Sequence, residues 1–209
     1  MRAPSLCLAL VLGSLAACGG DDGGDSVDPI DAPSTAIDAP AGIDAAVQLT
    51  CASYCATIAT NCTVANLMYG NNDECLATCL RFNEGASSDT GGNTLGCRLY
   101  HAGNAGGPAA NADTHCRHAG PGGDGVCGAN CEGFCTIVQG NCASQPNPPY
   151  ASMGACMTAC AGYAAQPAYV ANATGNNLAC RLYHATAASA NPGLHCAHTG
   201  MVSTTCQGN

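Results

Sequence analysis

From residue 50 onward, apolar positions recur at helical spacing. Cys51, Cys55, Ile58 and Cys62 fall at i, i+4, i+7 and i+11, one face of a helix, and Cys131, Cys135, Val138 and Cys142 repeat the series. A second helix is predicted to open near Asn72 or Ser152, both good N-caps, and to carry Cys75/Cys79 or Cys156/Cys160 one turn apart. A third follows Gly92 or Gly175, capped by Asn93-Thr94 or Asn176-Asn177, with Leu95/Leu99 or Leu178/Leu182 as its apolar stripe. It bears Cys97-Arg98-Leu99-Tyr100-His101-Ala102, which recurs as Cys180-Arg181-Leu182-Tyr183-His184-Ala185. A last segment of one or two helical turns surrounds His115 to His118 or His195 to His198 and ends at Gly120 or Gly200. Gly/Ala/Pro-rich spacers, residues 102–114 and 185–194, read as variable loops.

The pattern is a tandem duplication with a period near 80 residues. Cys51, Cys55, Cys62, Cys75, Cys79, Cys97, Cys116 and Cys127 match Cys131, Cys135, Cys142, Cys156, Cys160, Cys180, Cys196 and Cys206 in order. Tyr54 matches Phe134, and Tyr69 matches Tyr150. Short steps between cysteines agree and long ones vary, as when helices are fixed and loops drift. The fold class is therefore all-α: two small disulfide-rich helical domains, residues 50–128 and 129–209.

The chain before residue 50 has another character. Residues 1–17 combine Arg2, the apolar run from Leu6 to Leu12 and small residues, which reads as an export signal too short to span a bilayer. Residues 18–49 are rich in Asp, Ala, Pro, Gly and Ser, with Ile30-Asp31-Ala32-Pro33 echoed by Ile37-Asp38-Ala39-Pro40. This composition cannot support a packed core and predicts an extended tether. Leu15-Ala16-Ala17-Cys18 resembles the bacterial lipobox. The resemblance implies cleavage before Cys18, lipidation of its thiol and a membrane partner, since several acyl chains give stable anchoring. Gly19 and Gly20, with no acid directly after Cys18, favour an outer-membrane address by analogy with Gram-negative lipoproteins.

Eighteen of the 209 residues are cysteine, there is no Trp and there are only two Phe, so covalent staples stand in for large core side chains. Removing Cys7 with the signal and Cys18 with the lipid leaves 18 − 2 = 16 cysteines, eight per repeat. That even division fits disulfides formed in an oxidising compartment. Seven of the 14 acids precede residue 50. Against four arginines, the other seven leave the repeats at 4 − 7 = −3, and there is no lysine. A chain without a basic patch is a poor partner for nucleic acid.

Two helices that each bear Cys-x-x-x-Cys resemble the twin Cys-x3-Cys hairpins of small disulfide-stapled helical proteins. The resemblance implies Cys51–Cys79 with Cys55–Cys75, and Cys131–Cys160 with Cys135–Cys156. The other four cysteines of each unit leave three connectivities open. Taken whole, the lipobox, tether and repeats resemble the small cysteine-rich lipoproteins of high-GC Gram-negative bacteria such as myxobacteria, a likeness that brings no known activity.

All six histidines lie at matched positions. The first reading makes them packing residues bonded to carbonyls or tyrosine hydroxyls. The alternative is a copper or zinc site in each unit. His115/His118 and His195/His198 are spaced i, i+3, and His101 or His184 would supply a third nitrogen. A Cys97–Cys116 disulfide, one of the open pairings, would bring those histidines together. Arg98 and Arg181 read as structural forks to carbonyls or carboxylates. No catalytic residue is assigned. Gly-x-Ser-x-Gly, His-Glu-x-x-His and phosphate-loop patterns are absent, and the second unit has Glu132 as its only acid. The function expected first is a non-enzymatic envelope module that presents its loops to an envelope or extracellular protein. Metal binding is the alternative.

Overall fold

A computed structural model describes residues 48–207; the export signal, Cys18 and nearly all of the tether lie outside the described residues. Among these, the regular elements are helical, with two isolated bridges, Asn83 with Thr94 and Ala164 with Asn177. The first repeat comprises α1 (Cys51–Asn61), a 3-10 turn (Val64–Asn66), α2 (Asn72–Cys79), α3 (Leu95–Asn104) and α4 (Ala109–Ala119). The second comprises α5 (Asn130–Cys142), α6 (Met153–Cys160), α7 (Leu178–Ala187) and α8 (Pro192–Thr199). Six of the eight described α-helices start where a short polar side chain accepts from a free backbone N–H, while α4 and α5 follow Pro108 and Ala129 without such a cap. Thr50 caps α1, Asn71 α2, Thr94 α3, Ser152 α6, Asn177 α7 and Asn191 α8.

The expected loops at 102–114 and 185–194 are a correction: most of both is helix. α3 runs to Asn104 and α7 to Ala187, while α4 already begins at Ala109 and α8 at Pro192, leaving only residues 105–108 and 188–191 as connections. Two causes were hidden in the composition. Alanine is the best helix former, so an Ala-rich spacer extends a helix readily. Pro108 and Pro192 sit where proline starts a helix, having no N–H to orphan there. α4 consequently spans three turns.

Eight disulfides pair all sixteen cysteines of the described residues in the same pattern twice. Cys51–Cys79 and Cys55–Cys75 staple α1 to α2, and Cys131–Cys160 and Cys135–Cys156 staple α5 to α6. Cys62–Cys116 ties the end of α1 to α4, and Cys97–Cys127 ties α3 to the segment after α4; Cys142–Cys196 and Cys180–Cys206 repeat these links. Cys97–Cys116 is thus not the pairing formed. The histidines are positioned instead by two bridges, one from each of their helices to a different part of the chain.

Each core is built on three aromatic rings. In the first repeat Tyr54 packs edge-on against Tyr69 and Phe82; in the second Phe134 does so against Tyr150 and Tyr163. Two of the matched positions have exchanged Tyr and Phe, yet each trio keeps two hydroxyls. Tyr54 Oη lies 2.8 Å from Tyr69 Oη and donates to the Ala119 carbonyl; Tyr150 Oη lies 2.6 Å from Tyr163 Oη and donates to the Thr199 carbonyl. The exchange conserves a buried bond that ties the end of α4 or α8 to the core.

Arg98 is fully buried. Its guanidinium donates to the carbonyls of Thr94, Gly120 and Pro121 and lies 3.9 Å from the centre of the Phe82 ring. It thereby anchors the turn after α4. Arg181 lies 4.0 Å from the Tyr163 ring centre and donates to the Asn177 carbonyl and to Asn176 Oδ1. Between repeats, Arg81 Nε donates to Asn141 Oδ1, Tyr169 Oη to the Met68 carbonyl, and Ala171 N–H to the Leu67 carbonyl. α5 runs so close to the linking segment that a methyl on Gly133 would sit 2.4 Å from the Pro121 carbonyl oxygen, so only glycine fits there.

Candidate metal site

His101 and His184 lie in the last turns of α3 and α7, one turn beyond Cys97 and Cys180 on the same helix side. His115 and His118 lie on α4, and His195 and His198 on α8, at i, i+3. α4 packs along α3, and α8 along α7, which brings the three rings of each repeat together. Cys116 and Cys196 lie within these histidine pairs and point into the core as disulfides, fixing the rotation of α4 and α8.

His101 Nδ1 and His115 Nδ1 are 2.8 Å apart, and His184 Nδ1 and His195 Nδ1 are 2.9 Å apart. His101 stacks on His115, and His118 stands edge-on to both; His184, His195 and His198 adopt the same arrangement. In each trio one nitrogen per ring lies within 4.8 Å of the others. Two nitrogens about 2.05 Å from one ion are about 2.9 Å apart at a right angle and about 3.3 Å apart at the tetrahedral angle, so the facing Nδ1 atoms already have the spacing of two ligands. The third ring completes the argument. His118 Nδ1 and His198 Nδ1 are buried and have no hydrogen-bond partner among the described residues. A histidine kept only for packing would satisfy that nitrogen, because an unpaired buried polar group costs about 1–3 kcal/mol.

Burial pushes His101, His118 and His195 below the ordinary imidazole range, and the neighbouring imidazoles push the same way. His184 goes furthest, pushed down to about 4 by burial and then by His198 and His195. Neutral rings are what a metal requires, since only the unprotonated nitrogen has a lone pair. The sulfurs of Cys97–Cys127 and Cys180–Cys206 also lie within 4.8 Å of a nitrogen of His101 or His184, but as disulfides they are not thiolate ligands.

These pKa shifts carry a prediction for the metal-free protein. Between pH about 6.5 and about 4 the unfolded chain binds protons at His184 that the folded one does not, so stability is full above that window and falls as the pH is lowered through it. Urea midpoints of chelator-treated protein should fall from pH 7 to pH 4.5, and less so in His184→Gln. An equal fall in both would remove His184 as the cause.

All six histidines singled out in the sequence thus meet, three by three. Missed was the Thr90 carbonyl, which lies 3.2 Å from His101 Nε2. A main-chain acceptor on a loop leaves no side-chain signature.

The BfoA family C-terminal domain matches the chain twice, over residues 32–130 and again over residues 128–207. The chain belongs to the BfoA family. Over the described residues its two copies of the BfoA C-terminal domain are disulfide-rich and helical, and the matches overlap at residues 128–130, where α5 begins. Comparison with curated proteins and with solved structures gives no match.

Proposed function

We propose that the chain is a non-catalytic, lipid-anchored envelope protein whose two domains each bind one copper or zinc ion through three imidazoles. The ligands are His101, His115 and His118 in the first domain and His184, His195 and His198 in the second. The observation that carries the reading is the facing Nδ1 pair at 2.8 and 2.9 Å, in a trio whose three rings each bring one nitrogen within 4.8 Å of the others, built twice in one chain. Imidazole suits copper and zinc, and a three-nitrogen set leaves a position open for an exchanging ligand. The scaffold is held by eight disulfides, so the ion is cargo rather than a structural clamp.

The deciding measurement is native mass spectrometry of disulfide-intact protein offered copper(II) or zinc. About two equivalents should bind, and chelation should remove them with no change in the far-ultraviolet circular dichroism. Protein that takes up no ion would end the metal reading.

Anchoring rests on the apolar run before Cys18 and on its lipobox-like setting. The mature N-terminal peptide of the full chain, purified from a Gram-negative membrane fraction, should begin at Cys18 and carry acyl mass. Cys18→Ser should lose that mass. A mature terminus elsewhere, or an unmodified thiol, would sink the anchor and with it the outer-membrane address.

Docking to an envelope or extracellular protein is the second reading. It is favoured by apolar side chains left in solvent, of which Val64, Leu80, Met201 and Val202 are the most exposed among the described residues.

A further inference from the structure

The two histidine trios have the same ligands and different surroundings. In the first, His101 Nε2 lies 3.2 Å from the Thr90 carbonyl oxygen, so the nitrogen facing away from the trio donates and Nδ1 keeps its lone pair toward His115. In the second, His184 Nε2 donates to no carbonyl of the described residues; the only hydrogen bond of this ring is the one to His195. A carbonyl on the outer nitrogen of a ligand histidine fixes its tautomer and raises its basicity, and such partners are typically worth about 10–100-fold in metal affinity.

Charge does not separate the two sites. In the first, Asp124 lies 3.6 Å from Arg117 Nε, so the acid and the base beside His118 are paired with each other. In the second, Ala197 stands in the place of Arg117 and residues 201–205 contain no acid, but Glu74 favours positive charge at His195. Any ranking of the two therefore rests on the Thr90 carbonyl.

We infer that the two sites are ranked: the first copper or zinc ion bound to a chain enters the His101, His115, His118 site, and the His184, His195, His198 site fills second. The ranking rests on the metal reading above. It makes one chain a two-step buffer, with one step held tightly and one released as free metal falls.

Two experiments test it. Disulfide-intact native protein is titrated with copper(II) and followed by nuclear magnetic resonance, because the paramagnetic ion broadens the signals of its own ligands. At half an equivalent, His101, His115 and His118 should broaden while His184, His195 and His198 stay sharp. Separately, His198→Ala, which keeps the first site, should hold copper(II) about 10–100-fold more tightly in chelator competition than His118→Ala, which keeps the second. Affinities within about threefold of each other, the reverse order, or simultaneous broadening of both trios would overturn the ranking and leave the metal reading standing. Native protein that binds no ion would overturn both. Should either variant fail to form its disulfides, the native titration decides alone.

Discussion

Replacing His118 and His198 together by Ala is expected to take bound copper or zinc from about two equivalents per chain to none, while all eight disulfides form and the metal-free protein keeps its stability. Each site loses the donor that has no other partner. What remains is a pair of Nδ1 atoms already bonded to each other, at 2.8 Å in one domain and 2.9 Å in the other. A single ion would have to break that bond and would gain only two protein ligands. The same variant separates metal binding from packing. A packing histidine leaves its former partner orphaned when removed, at a cost of about 1–3 kcal/mol each. Among the described residues His118 Nδ1 and His198 Nδ1 have no partner to orphan, so their removal deletes unsatisfied buried atoms. Metal content by mass spectrometry and urea unfolding after chelation give the two readouts. Retained metal would place the ions elsewhere. Lost metal together with a large loss of apo stability would return these histidines to the core.

The reasons for what the sequence did and did not disclose are local. The helices were legible because cysteine, unlike leucine, is rare enough that its i, i+4 spacing stands out, and because the duplication printed it twice. The caps Thr94 and Asn177 were legible for the same reason. The Ala-rich spacers misled, since small residues read equally well as loop or helix until Pro108 and Pro192 are recognised as starts. The i, i+3 histidine pairs lay open in the sequence. Their meeting with His101 or His184 did not, because it depends on how α4 crosses α3 and α8 crosses α7. Which of three connectivities joins Cys62, Cys97, Cys116 and Cys127 was hidden likewise: spacing fixes a helix face, whereas pairing depends on which faces the tertiary fold brings together. The Tyr–Phe exchanges between repeats show the converse. Tyr54 against Phe134 looks like drift until Phe82 against Tyr163 restores the hydroxyl count.

Among the bridges of the first repeat, the loss of Cys62–Cys116 should cost the most stability, and it should weaken metal at the first site only. This disulfide spans 54 residues, against 20 for Cys55–Cys75. In the chain-entropy picture, closing the longer loop stabilises the fold by about 4 kcal/mol, about 0.9 kcal/mol more than the shorter one. The double variant Cys62→Ala, Cys116→Ala should therefore unfold at lower denaturant than Cys55→Ala, Cys75→Ala, although both remove two buried sulfurs from the same core. The functional consequence follows from position. Cys116 lies between His115 and His118 on α4, and its bridge to the end of α1 fixes the rotation of that helix about its own axis. Without the bridge α4 still packs on α3, but a rotation of a few degrees carries both imidazoles away from His101. Affinity at the first site should fall while the second, held by Cys142–Cys196, keeps its own. Urea unfolding and chelator competition on the two double variants make the comparison. Equal midpoints would mean that native-state strain or residual structure in the unfolded chain outweighs loop length. An unchanged first site would mean that packing against α3 alone sets the histidine geometry.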